Sequence, residues 1–575
     1  MDSLARLAFC PPGLPFFDRS DAGDGAGPEF VDGLAVPTGW HGQANEEWMN
    51  LAPPGAAPPA QGWKIHASAV AENAAHVLEV IAKYCFTHDV MFKFLRTPAV
   101  LQRRNGKYAD RGASGKFVTI YPGSEEQFGQ ILIELGGLLD GEPGPYILSD
   151  LRWRDGPLYV RYGGIVPLVV RGPDGRPVYC LRTPAGELVE DRRGPGFRPP
   201  EWVSLPPVLD AAIAARNAGT LRNFPYRVDR ALHFSNGGGV YRATAVPDGR
   251  EVLVREARPL AGLDAGGRDA VARLAAERDA LQRLSGVDGI PALIDFRRGH
   301  EHRYLIREYV PGRSLAQEMI RRNPLFAARE PDRADPGWAD HAEWALAILA
   351  RVDHTLGEMH RRGVVFHDLH PANVLVRPDG GIALIDFETA TSVDDPAPQL
   401  IGAPGFVAPD GYTGTAVDRY ALGCLRLVVF APLAAAVPLG RTKVAELLAF
   451  IGELFPLPAG FAGSVWADLG PAFAAPALAG RPVTPPATTR ASRVAGPAGD
   501  AAAGRPAGRV PDSRAVASGI LATATPDRAD RLYPGDARQF THPEGGVDLA
   551  TGAAGVQLAL AATGRPVPAD HVDWL

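Results

Sequence analysis

Three oxygen-bearing side chains stand at a set spacing in the middle of the chain. Asp368 lies in HDLHPANVLV, Asn373 follows five residues on, and Asp386 follows eighteen on, in ALIDFETA. Phosphoryl transfer from a nucleoside triphosphate needs such a set: a carboxylate to orient the attacking hydroxyl, an amide oxygen for Mg2+, and a second carboxylate bridging metal and phosphates. The apolar runs VVF, VLV and ALI predict short strands around them, so a catalytic loop and a hairpin would return the metal ligand. Upstream, HFSNGGGVYRA sets Gly237, Gly238 and Gly239 between strand-like residues, a loop whose backbone can close over phosphates. REYVPGRSL predicts a strand entering a hinge, where backbone groups from Glu308 to Val310 would hold a nucleobase. GRDAVARLAAERDALQRL has a helical period, and Glu277 within it is the best partner for a phosphate-binding cation. The bland alternative, acids in surface turns, does not account for the ligands, the loop and the helix falling in one order.

That cation departs from expectation. EVLVREARP occupies the strand on which protein kinases carry a lysine, and it presents Arg255; the only lysine downstream is the distant Lys443. Arginine keeps the charge and a bidentate reach, but it is bulkier and moves the phosphates. Either Arg255 pairs with Glu277 in a slow kinase, or the region binds nucleotide without transferring phosphate.

A second set lies between residues 61 and 165. GWKIHASA holds His66, VMFKFLRT holds Lys93, KYADRGASGKFVTIYP holds Arg111 and Tyr121, and SDLRWRDGPLYVRYGG holds Arg152, Arg154 and Arg161. β-Elimination from a phosphoserine would use these types. An uncharged lysine can take the weakly acidic Cα proton, an imidazolium can protonate the leaving phosphate, and arginines can grip its oxygens. Each has a dull alternative. His66 fits a satisfied core histidine, and the arginines fit ordinary surface cations. Lys93 alternates with Phe92 and Phe94, so on a strand it points away from the Phe face. Composition favours chemistry: of 59 basic residues only six are lysine, and five of them (Lys64, Lys83, Lys93, Lys107, Lys116) precede residue 117. Where arginine has replaced lysine nearly everywhere, a retained amine points to a group that must lose its proton.

The elements that must position these groups follow from periodicity. KFVTIYP and PLYVRYGG predict strands, and AENAAHVLEVIAKYCF and SEEQFGQILIELGGLL predict helices, giving a compact α+β domain after a loop-rich entry over residues 1–60. DRRGPGFRPPEWVSLPP separates it from a region of strand, Gly-rich turn, strand and helix, then mainly helices to about 458. Residues 459–540 are dominated by Ala, Gly, Pro and Arg and read as a low-complexity linker. GGVDLATGAAGVQLALAATG predicts one small-residue helix near the C-terminus.

Net charge is −6 with acids and bases interspersed, unlike the basic field of a nucleic-acid binder. MDSLARLAF lacks the features of a signal peptide, and ALGCLRLVVFAPLAAAVPLG is interrupted by Arg426 and two prolines, against a membrane span. Four scattered cysteines argue against a disulfide framework or a zinc site. The expected location is cytoplasmic.

On these residues the 61–165 segment resembles the lyase domain of class III and IV lanthipeptide synthetases, itself similar to bacterial phosphothreonine lyases. RYGG, NGGGVYRA, HDLHPAN and APGFVAPDGYTGTAVDRYALG resemble the same synthetases, and the segment from about 225 to 458 resembles their Ser/Thr kinase domain. The resemblance to class III implies a multidomain α+β protein. A phosphothreonine-lyase-like α+β domain would fill 1–205, a bilobal protein-kinase-like domain 206–458, a linker 459–540, and the opening of an otherwise missing cyclase domain 541–575. It further implies Lys93 as general base, His66 as general acid, Arg111, Arg161 and Arg152 or Arg154 as phosphate clamp, and Tyr121 as support. ATP or another nucleoside triphosphate with Mg2+, a ribosomally made precursor peptide with a leader, and a separate cyclase are the implied partners. The implied activity is phosphorylation of Ser/Thr followed by elimination to dehydroalanine or dehydrobutyrine. Two rivals are a lyase fused to a leader-binding pseudokinase, and a signalling kinase with an unrelated N-terminal sensor.

Overall fold

The computed structural model describes residues 9, 16–18, 28–45, 47–172, 177–192, 194–218, 224–299, 301–327, 334–396, 399, 402–474, 513–540 and 544–575. They divide into two compact units, Gly27–Ala434 with Leu447–Leu469, and Met1–Ala26 with Ala435–Glu446 and Gly470–Leu575.

The first unit begins with a seven-stranded sheet. Its strands are β1 (His41–Ala44), β2 (Trp48–Ala52), β3 (Gln61–Ala67), β4 (Met91–Leu95), β5 (Val118–Tyr121), β6 (Leu151–Arg152) and β7 (Leu158–Gly164), in the order β1-β2-β4-β5-β3-β7-β6 with every pair antiparallel. Helices α1 (Ala74–Thr87), α2 (Pro98–Asn105) and α3 (Glu125–Leu138) accompany it. α1 buries Ala74, Val77, Leu78, Ile81, Ala82 and Cys85, a stripe at helical spacing. α3 starts where Ser124 accepts a hydrogen bond from the Gln127 amide. These stripes cover the sheet face carrying Ile65, Phe92, Phe94, Val118, Ile120 and Val160, all 1% exposed or less. Each such side chain contributes about 1.5–3 kcal/mol of burial, which fixes the strand register because a one-residue slip would turn this face outward. β1 and β2 form the sheet edge within residues read from sequence as a loop-rich entry. A small sheet of β8 (Val169–Arg171), β9 (Pro177–Arg182) and β10 (Leu188–Glu190) follows, then α4 (Asp210–Ala218).

The second domain of this unit has a sheet-rich lobe and a helical lobe. β11 (Tyr226–Ser235), β12 (Gly238–Ala245), β13 (Glu251–Ala257), β14 (Leu293–Gly299) and β15 (His302–Glu308) run in the order β11-β12-β13-β15-β14, with α5 (Ala270–Arg283) entering through an Asp269 cap. Ser235 pairs with Gly238 around a tight turn at Asn236 and Gly237. At Gly238, φ is +154° and an added Cβ would meet the Glu256 carbonyl at 1.9 Å, so only glycine fits. The helical lobe contains α6 (Leu315–Arg322), α7 (Gly337–Arg361) and α8 (Thr415–Val428), and short strands Val374–Val376 and Ile382–Leu384 make the expected hairpin.

Two regions differ from the sequence reading. Residues read as the start of a linker are helical at Phe461–Leu469, where Phe461, Val465 and Leu469 are buried, and at Pro471–Ala474. The Ala/Gly/Pro-rich composition masks that i, i+4, i+8 stripe. The low-complexity core, 475–512, lies outside the described residues. In the other unit, Ser513–Ala522, also read as linker, is helical, and the small-residue helix spans Ala553–Ala562 with a further helix at Ala569–Trp574. Leu532, Tyr533 and Ala553 form a small core beside ion pairs from Arg528 and Arg531 to Asp18. Among the described residues no helix is long and apolar enough to cross a membrane.

Candidate active sites

Register builds the first site. Asn50 pairs with Lys93, Lys93 with Thr119, Thr119 with His66, His66 with Tyr159, and Tyr159 with Arg152. Residues directly opposite in antiparallel strands project from the same face, so these six make one row across the sheet, on the side away from Phe92 and Phe94. Tyr121 lies two residues from Thr119, and the pair Lys64–Arg161 lies two residues from His66–Tyr159, all on that face. Lys93 and His66 flank β5, two strand spacings or about 10 Å apart between Cα atoms. In that row the residue between them is Thr119, with a short side chain. Lys93 Nζ lies 4.3 Å from the centre of the Trp48 ring.

His66 is buried, and its Nδ1 lies 2.5 Å from Asp150 Oδ2. Ser149 Oγ donates to Asp150 Oδ1 at 2.7 Å, and Lys116 Nζ donates to Ser149 Oγ at 3.0 Å. Burial drives the His66 imidazole down to about 4, against the pull of Asp150 and helped by Lys116 and Lys64. Burial alone would raise Asp150, but its hydrogen bonds and the neighbouring positive charge bring it to about 2. The resting pair is therefore a carboxylate and a neutral imidazole. The Nδ1 proton faces Asp150 and Nε2 carries a lone pair. Desolvation outweighs the carboxylate, so the neutral imidazole is the resting form, and an imidazolium acting on a leaving phosphate would have to form when the phosphate binds.

The arginines expected as a clamp, Arg111, Arg161 and Arg152 or Arg154, are each engaged by partners of their own. Arg161 pairs with buried Asp191 and donates to the Arg192 carbonyl at 3.2 Å. Arg152 ends the row but is spent on Glu301 and on the carbonyls of Gly156 and Asp155. Arg154 has φ +52°, is exposed, and lies over Trp153. Arg111 stacks on Phe234 of β11 at 4.4 Å. Spacing along a strand could not foresee Glu301, Asp191 or Phe234, which lie far along the chain. Sequence reasoning also missed Asp150, Lys116 and Lys64. The scarcity of lysine was the signal for the latter two.

The second site lies between the sheet-rich and helical lobes. Arg255 Nη1 is 2.7 Å from Glu277 Oε2 and 2.7 Å from Asp386 Oδ1, and Nη2 is 3.3 Å from Glu388 Oε2. Asn373 Nδ2 donates to Asp368 Oδ2 at 2.9 Å and to its carbonyl at 3.0 Å. That engagement fixes the amide so that its oxygen is the group left for a cation. Asn373 and Asp386 are a hard, all-oxygen pair, fitting Mg2+ that keeps water and phosphate as its other ligands. His367 and Asp386 hold positive φ, +66° and +72°. Asp418 fixes the catalytic loop by accepting from the amides of Phe366 and His367, both at 2.8 Å; sequence reasoning passed over it within GTAVDRY. Gly237 lies in the turn of the sheet-rich lobe, and Gly238 and Gly239 open β12 directly after it. Glu308 ends β15 with its side chain accepting from the Ala292 amide at 3.2 Å, and Val310 is buried just beyond. The sequence reading found no lysine near Arg255. The structure places one there: Lys107, from the loop after α2, is ion-paired with Glu388.

Comparison with known proteins follows this division. Residues 30–219 match the RamC N-terminal domain family, and residues 227–443 match the protein kinase domain family. The chain carries a RamC-type N-terminal domain followed by a protein kinase domain. It is 45% identical over 574 residues to a protein described as "Probable SapB synthase" from Streptomyces coelicolor, covering 94% of this chain and 59% of that protein. A stretch of the chain is 27% identical over 215 residues to a probable serine/threonine-protein kinase of Corynebacterium efficiens, covering 35% of this chain and 30% of the relative. A stretch covering 35% of this chain and 37% of the relative is 26% identical to a serine/threonine-protein kinase of Myxococcus xanthus. The chain thus spans about three-fifths of the SapB synthase relative and about a third of these two kinases.

Proposed function

We propose that the chain phosphorylates Ser and Thr side chains of a ribosomally made precursor peptide. It would then eliminate the phosphate to leave dehydroalanine and dehydrobutyrine, as a class III lanthipeptide synthetase. The observation that carries this reading is the row holding Lys93, Thr119 and His66 on one sheet face, with Asp150 behind His66, in the same compact unit as a kinase cleft.

In the first step Asp368 orients the peptide hydroxyl and accepts its proton as the oxygen bonds to the γ-phosphorus of the nucleoside triphosphate, and the bond to the diphosphate breaks. Asn373 and Asp386 would hold Mg2+, whose charge stabilises the phosphates. Gly237, Gly238 and Gly239 cover them, and the backbone from Glu308 to Val310 receives the base. Arg255, fixed by Glu277, neutralises charge at the cleft.

In the second step an uncharged Lys93 amine takes the Cα proton, the C–H electron pair becomes the alkene bond, and the Cβ–O bond breaks. The departing phosphate takes a proton from His66. Arrival of the dianion beside Nε2 lets the imidazole first take that proton from water, and Asp150 stabilises the resulting imidazolium through Nδ1. Thr119 leaves room for the substrate between base and acid. Arg161 and Lys64 lie nearest along the same face to hold the anion, with Tyr121 beside Lys93.

Arg255 favours one rival, since a guanidinium shared by three carboxylates suits a pseudokinase that presents peptide. Mass spectrometry of a cognate precursor incubated with ATP and Mg2+ separates the two. The proposal expects gains of about 80 Da for phosphate and losses of about 18 Da for dehydration. An untouched peptide, alongside elimination from its synthetic phosphorylated form, would leave only the lyase.

A further inference from the structure

The loop after α2 does more than join two elements of the N-terminal domain. The Lys107 amide donates to the Leu263 carbonyl at 2.8 Å, and the Leu263 amide donates to the Asn105 carbonyl at 2.9 Å. The Asn236 amide donates to the Lys107 carbonyl at 3.3 Å, and Asn236 Nδ2 donates to the Gly106 carbonyl at 2.9 Å. Residues 105–107 are therefore stitched on one side to the glycine turn of the kinase domain and on the other to the loop before α5. From that strut Lys107 reaches Glu388, two residues past Asp386. Tyr108, next to it, is half-buried within electrostatic reach of Asp386 and Asp368.

Charge at this point balances in an informative way. Three carboxylates, Glu277, Asp386 and Glu388, meet four cations, Arg255, Arg273, Arg307 and Lys107. Arg273 and Arg307 have side chains 2% and 6% exposed and are spent on Glu388 and Glu277. Arg255 (16%) and Lys107 (18%) remain at the surface of the cleft. Arg255 is held by all three carboxylates. Without Lys107 the cluster is neutral. Lys107 is its surplus positive charge, on a flexible four-carbon stem that can leave Glu388 for a stronger anion.

We propose that Lys107, donated by the RamC-type N-terminal domain, binds the phosphates of the nucleoside triphosphate and takes the role left open by arginine at position 255. The proposal rests on the kinase reading above. The nucleotide site is then incomplete in the kinase domain alone, and the domain that would eliminate phosphate helps to install it.

The test is nucleotide binding by the full chain, measured calorimetrically with Mg2+ for ATP and for AMP, which shares the nucleoside but lacks the β- and γ-phosphates. Lys107→Gln is expected to weaken ATP at least tenfold while changing AMP less than twofold. Lys107→Arg should stay within threefold of wild type for ATP, and elimination from a synthetic phosphopeptide should be unchanged in both variants. Parallel losses for ATP and AMP would make Lys107 a structural strut and overturn the proposal, as would Lys107→Gln binding ATP like wild type. A wild-type chain that bound no ATP would remove the kinase reading itself, a result distinct from either.

Discussion

The two sites are both dense in charge but solve opposite problems. On the sheet of the N-terminal domain, burial strips the charge from His66 while leaving Asp150 ionised, so proton position is set by desolvation and one short hydrogen bond. In the kinase cleft six charged groups neutralise one another and a seventh, a lysine from another domain, carries the surplus. The first site depends on strand register within one sheet. The second depends on how elements nearly 300 residues apart in sequence meet. An enzyme that moves a proton needs the former. One that gathers a polyanion needs the latter.

The largest effects should come from separating the two chemistries. Asp368→Asn is expected to lower phosphate transfer by about 10²–10⁴ while elimination from a phosphopeptide continues at the wild-type rate. Lys93→Met should do the reverse by a similar factor, and phosphorylated intermediates should accumulate in the mass spectrum. If Lys93→Met left no such intermediate, the signalling-kinase alternative would gain the ground. Arg255→Lys comes next. A lysine cannot span Glu277, Asp386 and Glu388 together, so transfer should fall about tenfold; robust gain over an inactive wild type would reverse the assignment of roles.

A pH experiment sharpens the contrast. His66 titrates near 4 in the fold and near 6.5 unfolded. Between these values the unfolded chain takes a proton that the native one refuses, so stability falls as pH drops from 6.5 to 4, by about 3 kcal/mol. Asp150 then adds its own loss as pH falls from 3.8 towards 2. In urea melts across pH 4–7, His66→Asn should flatten the first slope. Parallel curves for wild type and variant would mean that burial does not hold the imidazole neutral.

Much of the first site was legible because strands alternate. Phe92, Lys93 and Phe94 announce which face holds the amine, and the helix stripes over 74–85 and 125–138 announce which face is covered. The residues proposed as kinase ligands were legible because Asp368, Asn373 and Asp386 sit in one short stretch. What periodicity cannot carry is a partner from elsewhere. Asp150 stands between a serine and a leucine with nothing local to mark it as the neighbour of His66. The scarcity of lysine marked Lys107 but could not place it, because its pairing with Glu388 joins positions 281 apart. Arg111 and Arg152 had the right type for a phosphate clamp, but Phe234 and Glu301 meet them across the domain boundary.

The smallest effect belongs to that last pair and decides where the two sites part. Arg152 and Glu301 form an ion pair with side chains 22% and 31% exposed. Solvent screens charges so placed, and holding two long side chains costs entropy, so a double-mutant cycle should assign the pair less than about 1 kcal/mol. Arg152 ends the row that contains His66, which makes its chemistry as well as its stability informative. With its guanidinium committed to Glu301 and to two carbonyls of its own turn, Arg152→Ala should change KM for phosphopeptide elimination less than threefold. Arg161→Ala, nearer His66 along the face, should raise it more. A tenfold rise for Arg152→Ala would place the phosphate further along the row, towards β6, and would make one arginine serve both the domain contact and the leaving group.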